Sequence, residues 1–249
     1  MKNHNSWSDQ DKLWKFFEPF LSNEELQMSA KEEVENVVKL LKMELNDRIL
    51  DLCCGLGRHS LELSHHGFKV VGVDRTSAFI KKANQKAKQK DQNAEFVVSD
   101  MREYCQPDCY NVVINMFGSF GYFESTDDDR KVVKNMLTSL RAGGRFLIET
   151  MGKEILAKNF QEKDWHEEGN KLVLAEKKPI QNWGRMQTRW IVINGNQRIE
   201  HTVSIRSYSA AELSSLLSEC GFSKVKVYGN LEGVEYNHVA KRLVVIGYK

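Results

Sequence analysis

The chain has 249 residues, of which 41% are hydrophobic, 28% charged and 10% aromatic, and its formal net charge is +2. A chain of this size buries enough surface to fold without disulfide bonds or structural metal ions, and its apolar content excludes a disordered protein. The near-neutral charge does not indicate a polyanion-binding protein. No apolar run reaches the roughly 18 residues of a membrane span, and the first residues contain no apolar signal region, so we expect a soluble cytoplasmic protein.

The cysteines and histidines do not form a pattern typical of a disulfide framework or a metal site. The five cysteines are an odd number, and Cys53 and Cys54 are adjacent. Cys105 and Cys109 lack the second pair that a zinc site needs. We therefore expect no bound metal.

Apolar residues at helical spacing predict two N-terminal helices, over Asp11–Leu21 and Ser29–Met43. Strands and helices then alternate with short connections, which indicates a parallel sheet covered on both faces. The predicted strands are Arg48–Leu52, Lys69–Asp74, Ala94–Ser99, Tyr110–Met116 and Arg145–Thr150, and the predicted helices are Arg58–His66, Ser77–Lys90 and Asp127–Leu140.

Residues 151–206 interrupt this alternation with a β-rich segment. Its predicted antiparallel strands are Lys171–Glu176, Gln187–Ile193 and Arg198–Arg206, with Asn194-Gly195 as a hairpin turn. A capping box at Ser209 begins a helix through Cys220, and Lys224–Tyr228 and Leu243–Tyr248 are the last strands. The chain thus divides into N-terminal helices (1–45, a candidate lid), an α/β core (46–150 and 207–249) and a β-rich insertion (151–206, a candidate substrate cover).

Ligands of open α/β sheets bind outside the carboxyl ends of the strands. The first such end is a glycine loop, Asp51-Leu52-Cys53-Cys54-Gly55-Leu56-Gly57, whose glycines permit close approach of a ligand to the backbone. A dinucleotide-binding loop would have glycine or alanine where this one has Ser60, and a carboxylate such as Asp51 would repel a pyrophosphate. The ammonium and sulfonium of S-adenosylmethionine would instead be attracted by it.

The next two strand ends also suit that molecule. Asp74, followed by Arg75, can accept hydrogen bonds from both ribose hydroxyls. Asp100 can accept from an adenine amino group, with Met101 against the ring. Three acidic residues at successive strand ends favour S-adenosylmethionine over a nicotinamide cofactor.

Five motifs together resemble the class I S-adenosylmethionine-dependent methyltransferases over about residues 46–249. They are the glycine loop ILDLCCGLGRHS, the ribose motif VVGVDRT, the adenine motif FVVSDMRE, the turn and strand LRAGGRFLIE, and the last helix YSAAELSSLLSECGF. FGSFGYF adds a resemblance to bacterial enzymes that act on small molecules. The implied fold is a Rossmann-like, doubly wound, mostly parallel seven-stranded sheet with its last strand antiparallel.

The resemblance implies an enzyme that transfers methyl from S-adenosylmethionine to a small molecule. It implies cofactor contacts at ten residues: Asp51, Cys53, Gly55, Gly57, Arg58, Asp74, Arg75, Asp100, Met101 and Asn115. Cys53 stands where the family usually has glycine, which costs little if its backbone angle is ordinary. Arg58 opposes the dipole at a helix N-terminus, and it could hold a carboxylate of the cofactor or of the substrate.

Candidate substrate contacts are the aromatic residues Trp14, Phe117, Tyr122 and Tyr208, with ordinary packing as the alternative. The acceptor could be an N, O, S or C nucleophile, and the sequence assigns no catalytic base. The residues considered as a base are His59, His201, Tyr122, Tyr208 and His238. Two alternatives stay open: a methyltransferase acting on tRNA or protein, and a cofactor-binding module without catalysis. Binding to duplex DNA or to a membrane is not expected, and the sequence leaves monomer and homodimer open.

Overall fold

The computed structural model describes residues 11–21 and 23–249. Residues 1–10 and 22, which belong to the predicted N-terminal part, lie outside the described residues. The helices are α1 (Asp11–Leu21), α2 (Glu24–Leu41), α3 (Arg58–His65), α4 (Ser77–Gln89), α5 (Thr126–Ser139), α6 (Lys153–Lys158) and α7 (Ala210–Glu219). In the described part of the chain, none of these helices combines the length and apolar character needed to cross a bilayer.

Seven strands form the main sheet in the order β10-β11-β5-β4-β1-β2-β3. Their bounds are β1 (Arg48–Leu52), β2 (Lys69–Asp74), β3 (Ala94–Val98), β4 (Tyr110–Asn115), β5 (Leu140–Thr150), β10 (Lys224–Tyr228) and β11 (Leu243–Tyr248). β11 is antiparallel to both of its neighbours, and the other pairs are parallel. This arrangement confirms the predicted Rossmann-like sheet with an antiparallel last strand.

The main sheet is buried on both faces, as its continuous apolar runs predict. On one face, Val34, Val37 and Leu41 of α2 pack against strand residues such as Ile49 and Val112. On the other face, α5 and α7 cover a larger cluster that includes Leu50, Val113, Phe146 and Leu213. The two clusters hold the strands rigidly, which fixes the positions of the side chains at their carboxyl ends.

The second sheet has four antiparallel strands in the order β6-β7-β8-β9. They are β6 (Lys163–Glu168), β7 (Lys171–Ile180), β8 (Arg185–Asn194) and β9 (Gln197–Arg206). The sequence predicted three of them and missed β6, because its residues Lys-Asp-Trp-His-Glu-Glu are mostly polar and exposed. The predicted hairpin turn was wrong by one residue: Asn194 pairs with Gln197, so the turn is Gly195-Asn196.

Three larger differences from the prediction concern α2, α6 and β5. α2 begins at Glu24 rather than Ser29, because the Asn23 side chain caps it by accepting from the Leu26 amide. The helix α6 was missed. β5 begins at Leu140 and runs through Gly143-Gly144, where the sequence predicted a break.

A buried polar cluster joins the second sheet to the core. Asp129, in the first turn of α5, accepts hydrogen bonds from Arg206 Nε (3.1 Å) and the Tyr208 hydroxyl (2.7 Å). Arg185 of β8 donates to the Phe123 carbonyl at 2.7 Å. Removing Asp129 would take away the carboxylate that Arg206 Nε and the Tyr208 hydroxyl share, so this cluster helps to fix the sheet relative to α5.

Candidate functional site

A cavity lies at the carboxyl ends of β1, β2 and β4, where the fold predicts a ligand. Its lining has two sides. The first consists of residues from the strand ends and the glycine loop: Asp51, Cys53, Cys54, Gly55, Leu56, Arg58, His59, Val73, Asp74, Arg75, Thr76, Phe79, Ser99, Asp100 and Met101. The second consists of residues from α1, α2 and the loop after β4: Trp14, Leu21, Leu26, Met116, Phe117, Ser119, Tyr122 and Phe123.

Asp51, at the end of β1, is a buried carboxylate that lines the cavity. Its Oδ2 accepts a hydrogen bond from the Ser60 hydroxyl at 2.6 Å, which orients the group. Burial raises the pKa of Asp51, against the opposing effects of His59 and Ser60. Ser60 is therefore not a neutral replacement for the glycine of a dinucleotide loop, because it positions a carboxylate that a cationic ligand would stabilise.

The glycine loop (residues 53–57) depends on three positive backbone angles. Cys53 has φ = 63°, so the substitution for the family's glycine is not at an ordinary backbone angle and carries strain. Gly55 (φ = 56°) faces open space, which leaves its backbone accessible to a ligand. Gly57 (φ = 79°) lies against the Phe96 ring, where an added Cβ would come within 2.9 Å.

Asp74, at the end of β2, fixes the glycine loop against the neighbouring strand. Its Oδ2 accepts from the Gly55 amide at 3.0 Å and its Oδ1 from the Thr76 amide at 2.8 Å. Burial raises the pKa of Asp74, and the two amides oppose that effect. A carboxylate has about four lone-pair positions, so each oxygen can still accept a hydroxyl hydrogen. Arg75 follows it and also lines the cavity.

Asp100 forms a bidentate ion pair that the sequence analysis did not foresee. Arg102 donates from Nε to Oδ1 at 3.0 Å and from Nη2 to Oδ2 at 2.6 Å, and its guanidinium lies over the Phe123 ring. Burial alone would raise the pKa of Asp100, but the hydrogen bonds from Arg102 outweigh it and lower that pKa. Beside it, Met101 Sδ lies 3.4 Å from Cys53 Sγ.

Arg58 and His59, at the start of α3, share one carboxylate of α2. Arg58 Nη1 and His59 Nε2 both contact Glu33 Oε2, the latter at 2.7 Å. Burial alone would raise the pKa of Glu33, but His59 and Arg58 outweigh it and lower that pKa to about 2. Arg58 lies 4.9 Å from the centre of the Phe117 ring, and its buried Nη2 lacks a hydrogen-bond partner in the described part of the chain. A ligand carboxylate would supply that partner.

The loop after β4 (residues 116–124) also contains a strained residue. Phe117 has φ = 61°, and its amide donates to Glu149 Oε2 at 2.6 Å. Glu149 comes from the end of the adjacent strand β5. This contact holds the Phe117 backbone in a left-handed conformation, with the side chain lining the cavity opposite the glycine loop.

Trp14 of α1 joins the cavity to the second sheet through a series of aromatic rings. Its ring centre lies 5.7 Å from that of Tyr122. Phe17 of the same helix lies 5.7 Å from Trp190, and Phe16 lies 4.9 Å from His201. α1 therefore lies between the cavity and the inner face of the second sheet.

Three of the predicted site residues do not line the cavity. Asn115 is buried and its Nδ2 donates to the Leu52 carbonyl at 3.0 Å, so it connects β4 to β1. Gly57 is the last residue of the glycine loop and the N-cap residue of α3. Tyr208 binds Asp129 instead. Of the side chains considered as a base, His59 and Tyr122 line the cavity, whereas His201 packs on Phe16 and His238 lies outside the lining.

Several lining residues were not predicted, including Leu21, Leu26 and Ser119, and neither was Glu33, which does not line the cavity but acts through Arg58. Ser119 lies within the FGSFGYF segment without having been singled out, and helix periodicity alone would assign Leu21 and Leu26 to a core. Among residues 11–21 and 23–249, no three histidine, cysteine or carboxylate side chains are grouped to hold a metal.

Comparison with known proteins agrees with this geometry. Residues 49–144 match the family model described as a methyltransferase domain. The chain is 28% identical over 220 residues to a glycine/sarcosine N-methyltransferase of Aphanothece halophytica, covering 84% of this chain and 82% of that protein.

Two solved structures share the fold. The CcbJ methyltransferase from Streptomyces caelestis superposes with a TM-score of 0.77 at 17% identity, covering 89% of each chain. An S-adenosylmethionine-dependent methyltransferase from Clostridium acetobutylicum superposes with a TM-score of 0.75 at 14% identity, covering 95% of this chain and 98% of that one.

The motifs, the sheet order and these matches support the class that the sequence resembles: residues 49–144 match a methyltransferase domain, and the fold is that of class I S-adenosylmethionine-dependent methyltransferases. Within that class, the methyltransferase domain matched at residues 49–144 spans the part from β1 into β5. The predicted resemblance and the prediction of an enzyme are both confirmed.

Proposed function

We propose that this cavity binds S-adenosylmethionine and that the enzyme transfers its methyl group to a small molecule held against the aromatic side of the cavity. The observation that carries the proposal is the division of the lining into two sides. Carboxylates and two arginines line the cavity at the strand ends and the start of α3, whereas the residues from α1, α2 and the loop after β4 are rings, aliphatic groups and one hydroxyl. The glycine/sarcosine N-methyltransferase is a relative named for small-molecule acceptors, which supports this acceptor class.

The strand-end side suits the cofactor group by group. Asp51 would attract the ammonium, Asp74 would accept from the ribose hydroxyls, and Asp100 with Met101 would contact the adenine. Arg58 Nη2, a buried donor without a partner among the described residues, would bind the carboxylate. When bound, the cofactor supplies an electrophilic methyl group. The chain's own residues orient the acceptor and exclude water.

We propose that α1 is a lid and that the second sheet supports it. Trp14 lines the cavity, while Phe16 and Phe17 contact His201 and Trp190. The lid contacts the core through an ion pair between Glu18 and Lys82 of α4. Exposed pairs of this kind contribute little to stability, so the attachment of α1 to the core depends mainly on apolar contacts such as those of the buried Leu13 and of Trp14 with Tyr122.

The cofactor assignment can be tested by calorimetry with two matched ligands. S-adenosylhomocysteine, the demethylated product, carries a carboxylate that its decarboxylated analogue lacks. We expect Arg58→Met to weaken binding of S-adenosylhomocysteine by roughly ten-fold or more and to leave the analogue unchanged, because only one ligand uses the guanidinium.

Asp74→Ala provides the comparison, because both ligands carry the ribose. We expect it to weaken both by roughly ten-fold. Tighter binding of NAD than of S-adenosylhomocysteine to the unsubstituted protein would overturn the cofactor assignment. Equal effects of Arg58→Met on both ligands would remove Arg58 from the carboxylate site.

A further inference from the structure

We infer that the methyl acceptor is an uncharged, largely apolar molecule without a carboxylate, whose nucleophilic atom is already neutral at pH 7, as in an aromatic amine. This inference rests on the proposed function, since it concerns the same cavity. It departs from the glycine/sarcosine N-methyltransferase, which is named for amino acid acceptors.

The charged side chains of the cavity are confined to one side. Among the described lining residues, the cations and potential cations are Arg58, His59 and Arg75, and the carboxylates are Asp51, Asp74 and Asp100. All six lie at the strand ends or at the start of α3. The described lining residues from α1 and α2 and from the loop after β4 are all uncharged, and we call Trp14, Met116, Phe117, Ser119, Tyr122 and Phe123 among them the aromatic wall. The aromatic wall contains no ionised side chain.

Arg58 has one buried nitrogen, Nη2, without a partner among the described residues, and the cofactor carboxylate would take it. Its Nη1 is bound to Glu33 and to the Leu26 carbonyl (3.2 Å), and its plane is stacked near Phe117. An amino acid acceptor would bring a second carboxylate next to the aromatic wall, whose residues carry no cation. Of the described cations that contact the wall, Arg58 at Phe117 would already hold the cofactor carboxylate, and Arg102 at Phe123 is paired with Asp100. Burying an unpaired carboxylate carries a large free-energy penalty, so the site discriminates against such acceptors.

An aliphatic amine is also a poor match, because it is a cation at pH 7 and must lose a proton before it attacks. Burial raises the pKa of the Tyr122 hydroxyl well above its usual range, so this group does not accept a proton near neutrality. His59 has its Nε2 at 2.7 Å from Glu33, on the glycine-loop side of the cavity. No carboxylate of the described lining lies on the aromatic wall to hold an ammonium.

A weakly basic aromatic amine brings no carboxylate into the cavity, is uncharged at pH 7 and need not lose a proton before it attacks. Its ring packs against Trp14, Phe117 and Tyr122, and aromatic pairs of this kind contribute beyond the area that they bury. Its lone pair forms the new nitrogen–methyl bond while the carbon–sulfur bond breaks, and that bonding pair stays on sulfur. The product cation then releases its proton to water, so no protein base is required.

The test uses protein saturated with S-adenosylhomocysteine and a panel of fragments built on the same aromatic scaffolds. Each scaffold is supplied as a neutral aryl amine, as the corresponding aryl carboxylate and as the aminomethyl compound. We expect neutral members to bind, measured by calorimetry, with roughly ten-fold or greater preference over their charged partners. Phe117→Ala should remove this binding while S-adenosylhomocysteine still binds. The neutral binders should then accept methyl from S-adenosylmethionine.

Three outcomes would overturn the inference: no neutral member binds, carboxylates bind equally well, or glycine or sarcosine is methylated faster than every neutral binder. These outcomes differ from failure of the proposed function. If S-adenosylhomocysteine itself does not bind, the cofactor assignment has failed before any acceptor is added.

Discussion

The glycine loop and the loop after β4 form opposite sides of the cavity, and each contains a strained residue, Cys53 or Phe117, with positive φ. They differ in what holds them. The glycine loop is held by Asp74, which belongs to the next motif along the chain. The loop after β4 is held by Glu149 and by Arg206, whose amide donates to the Gly121 carbonyl at 2.8 Å.

This difference separates cofactor binding from acceptor choice. The proposed cofactor side is held by contacts among neighbouring strand ends, so it can stay constant while the rest of the chain changes. The proposed acceptor side is held by β5, β9 and α1, elements far apart in the sequence. Substitutions on the cofactor side should therefore change cofactor affinity, whereas those on the acceptor side should change turnover and leave cofactor affinity largely intact.

The largest effect is expected on the cofactor side, at Glu33, which binds both Arg58 and His59. Its pKa is lowered from 4.5 to about 2, so its ionised form stabilises the fold. The sign follows from linkage: this stability is present above about pH 5 and is lost as the pH falls toward 2. We expect Glu33→Gln to lower the free energy of unfolding at pH 7 by about 3 kcal/mol.

Urea unfolding between pH 7 and pH 3 measures this effect. The difference from the unsubstituted protein should shrink as the pH falls, because protonated Glu33 loses the same interactions. Glu32→Gln, at an exposed neighbouring position of α2, is the control and should change little. A pH-independent loss would mean that Glu33 stabilises the protein by packing rather than by its charge.

The next effect is expected on the acceptor side, at Gly121. This residue has φ = 94°, and an added Cβ would come within 2.6 Å of the Arg206 carbonyl oxygen. Gly143 has φ = 74° with open space around it, so it isolates the cost of the backbone angle. We expect Gly143→Ala to cost about 1 kcal/mol of unfolding free energy, and Gly121→Ala about 2 kcal/mol in total.

Thermal denaturation of both variants, with and without S-adenosylhomocysteine, checks this prediction. If the two sides are independent, Gly121→Ala should melt earlier but keep its affinity for S-adenosylhomocysteine within several-fold. Loss of that affinity would show that the loop after β4 also shapes the cofactor side.

The smallest effect on stability is expected when either strained residue, Cys53 or Phe117, is replaced by glycine in a single variant. Cys53→Gly and Phe117→Gly each relieve a left-handed backbone, while glycine gains entropy in the unfolded chain. We expect each to change the free energy of unfolding by less than about 1 kcal/mol. Cofactor affinity should be retained in both, but Phe117→Gly should lose most of its turnover. Full turnover in Phe117→Gly would remove that ring from the acceptor site.

The same contrast explains how much the sequence could predict. The core strands, Asp51 and Asp74 follow from local patterns, because buried parallel strands read as apolar runs and end at polar residues. The ion pair between Arg102 and Asp100 is also local in the sequence, but the sequence does not say which nearby basic side chain pairs with Asp100. The Glu33–Arg58 pair and the contact of Tyr208 with Asp129 join elements distant in the sequence. No spacing rule specifies such pairs, since tertiary packing determines them.

The position of α1 between the cavity and the second sheet has a consequence for folding. β1, β2 and β4 pair within residues 48–115, so the cofactor side depends on contacts of moderate sequence separation. The contact of Phe16 with His201 joins the beginning of the described chain to β9. Contacts of long sequence separation form late, because the loop entropy must be lost first. We therefore expect that during synthesis the core sheet begins to assemble before α1 docks, and that the cavity acquires its cover last.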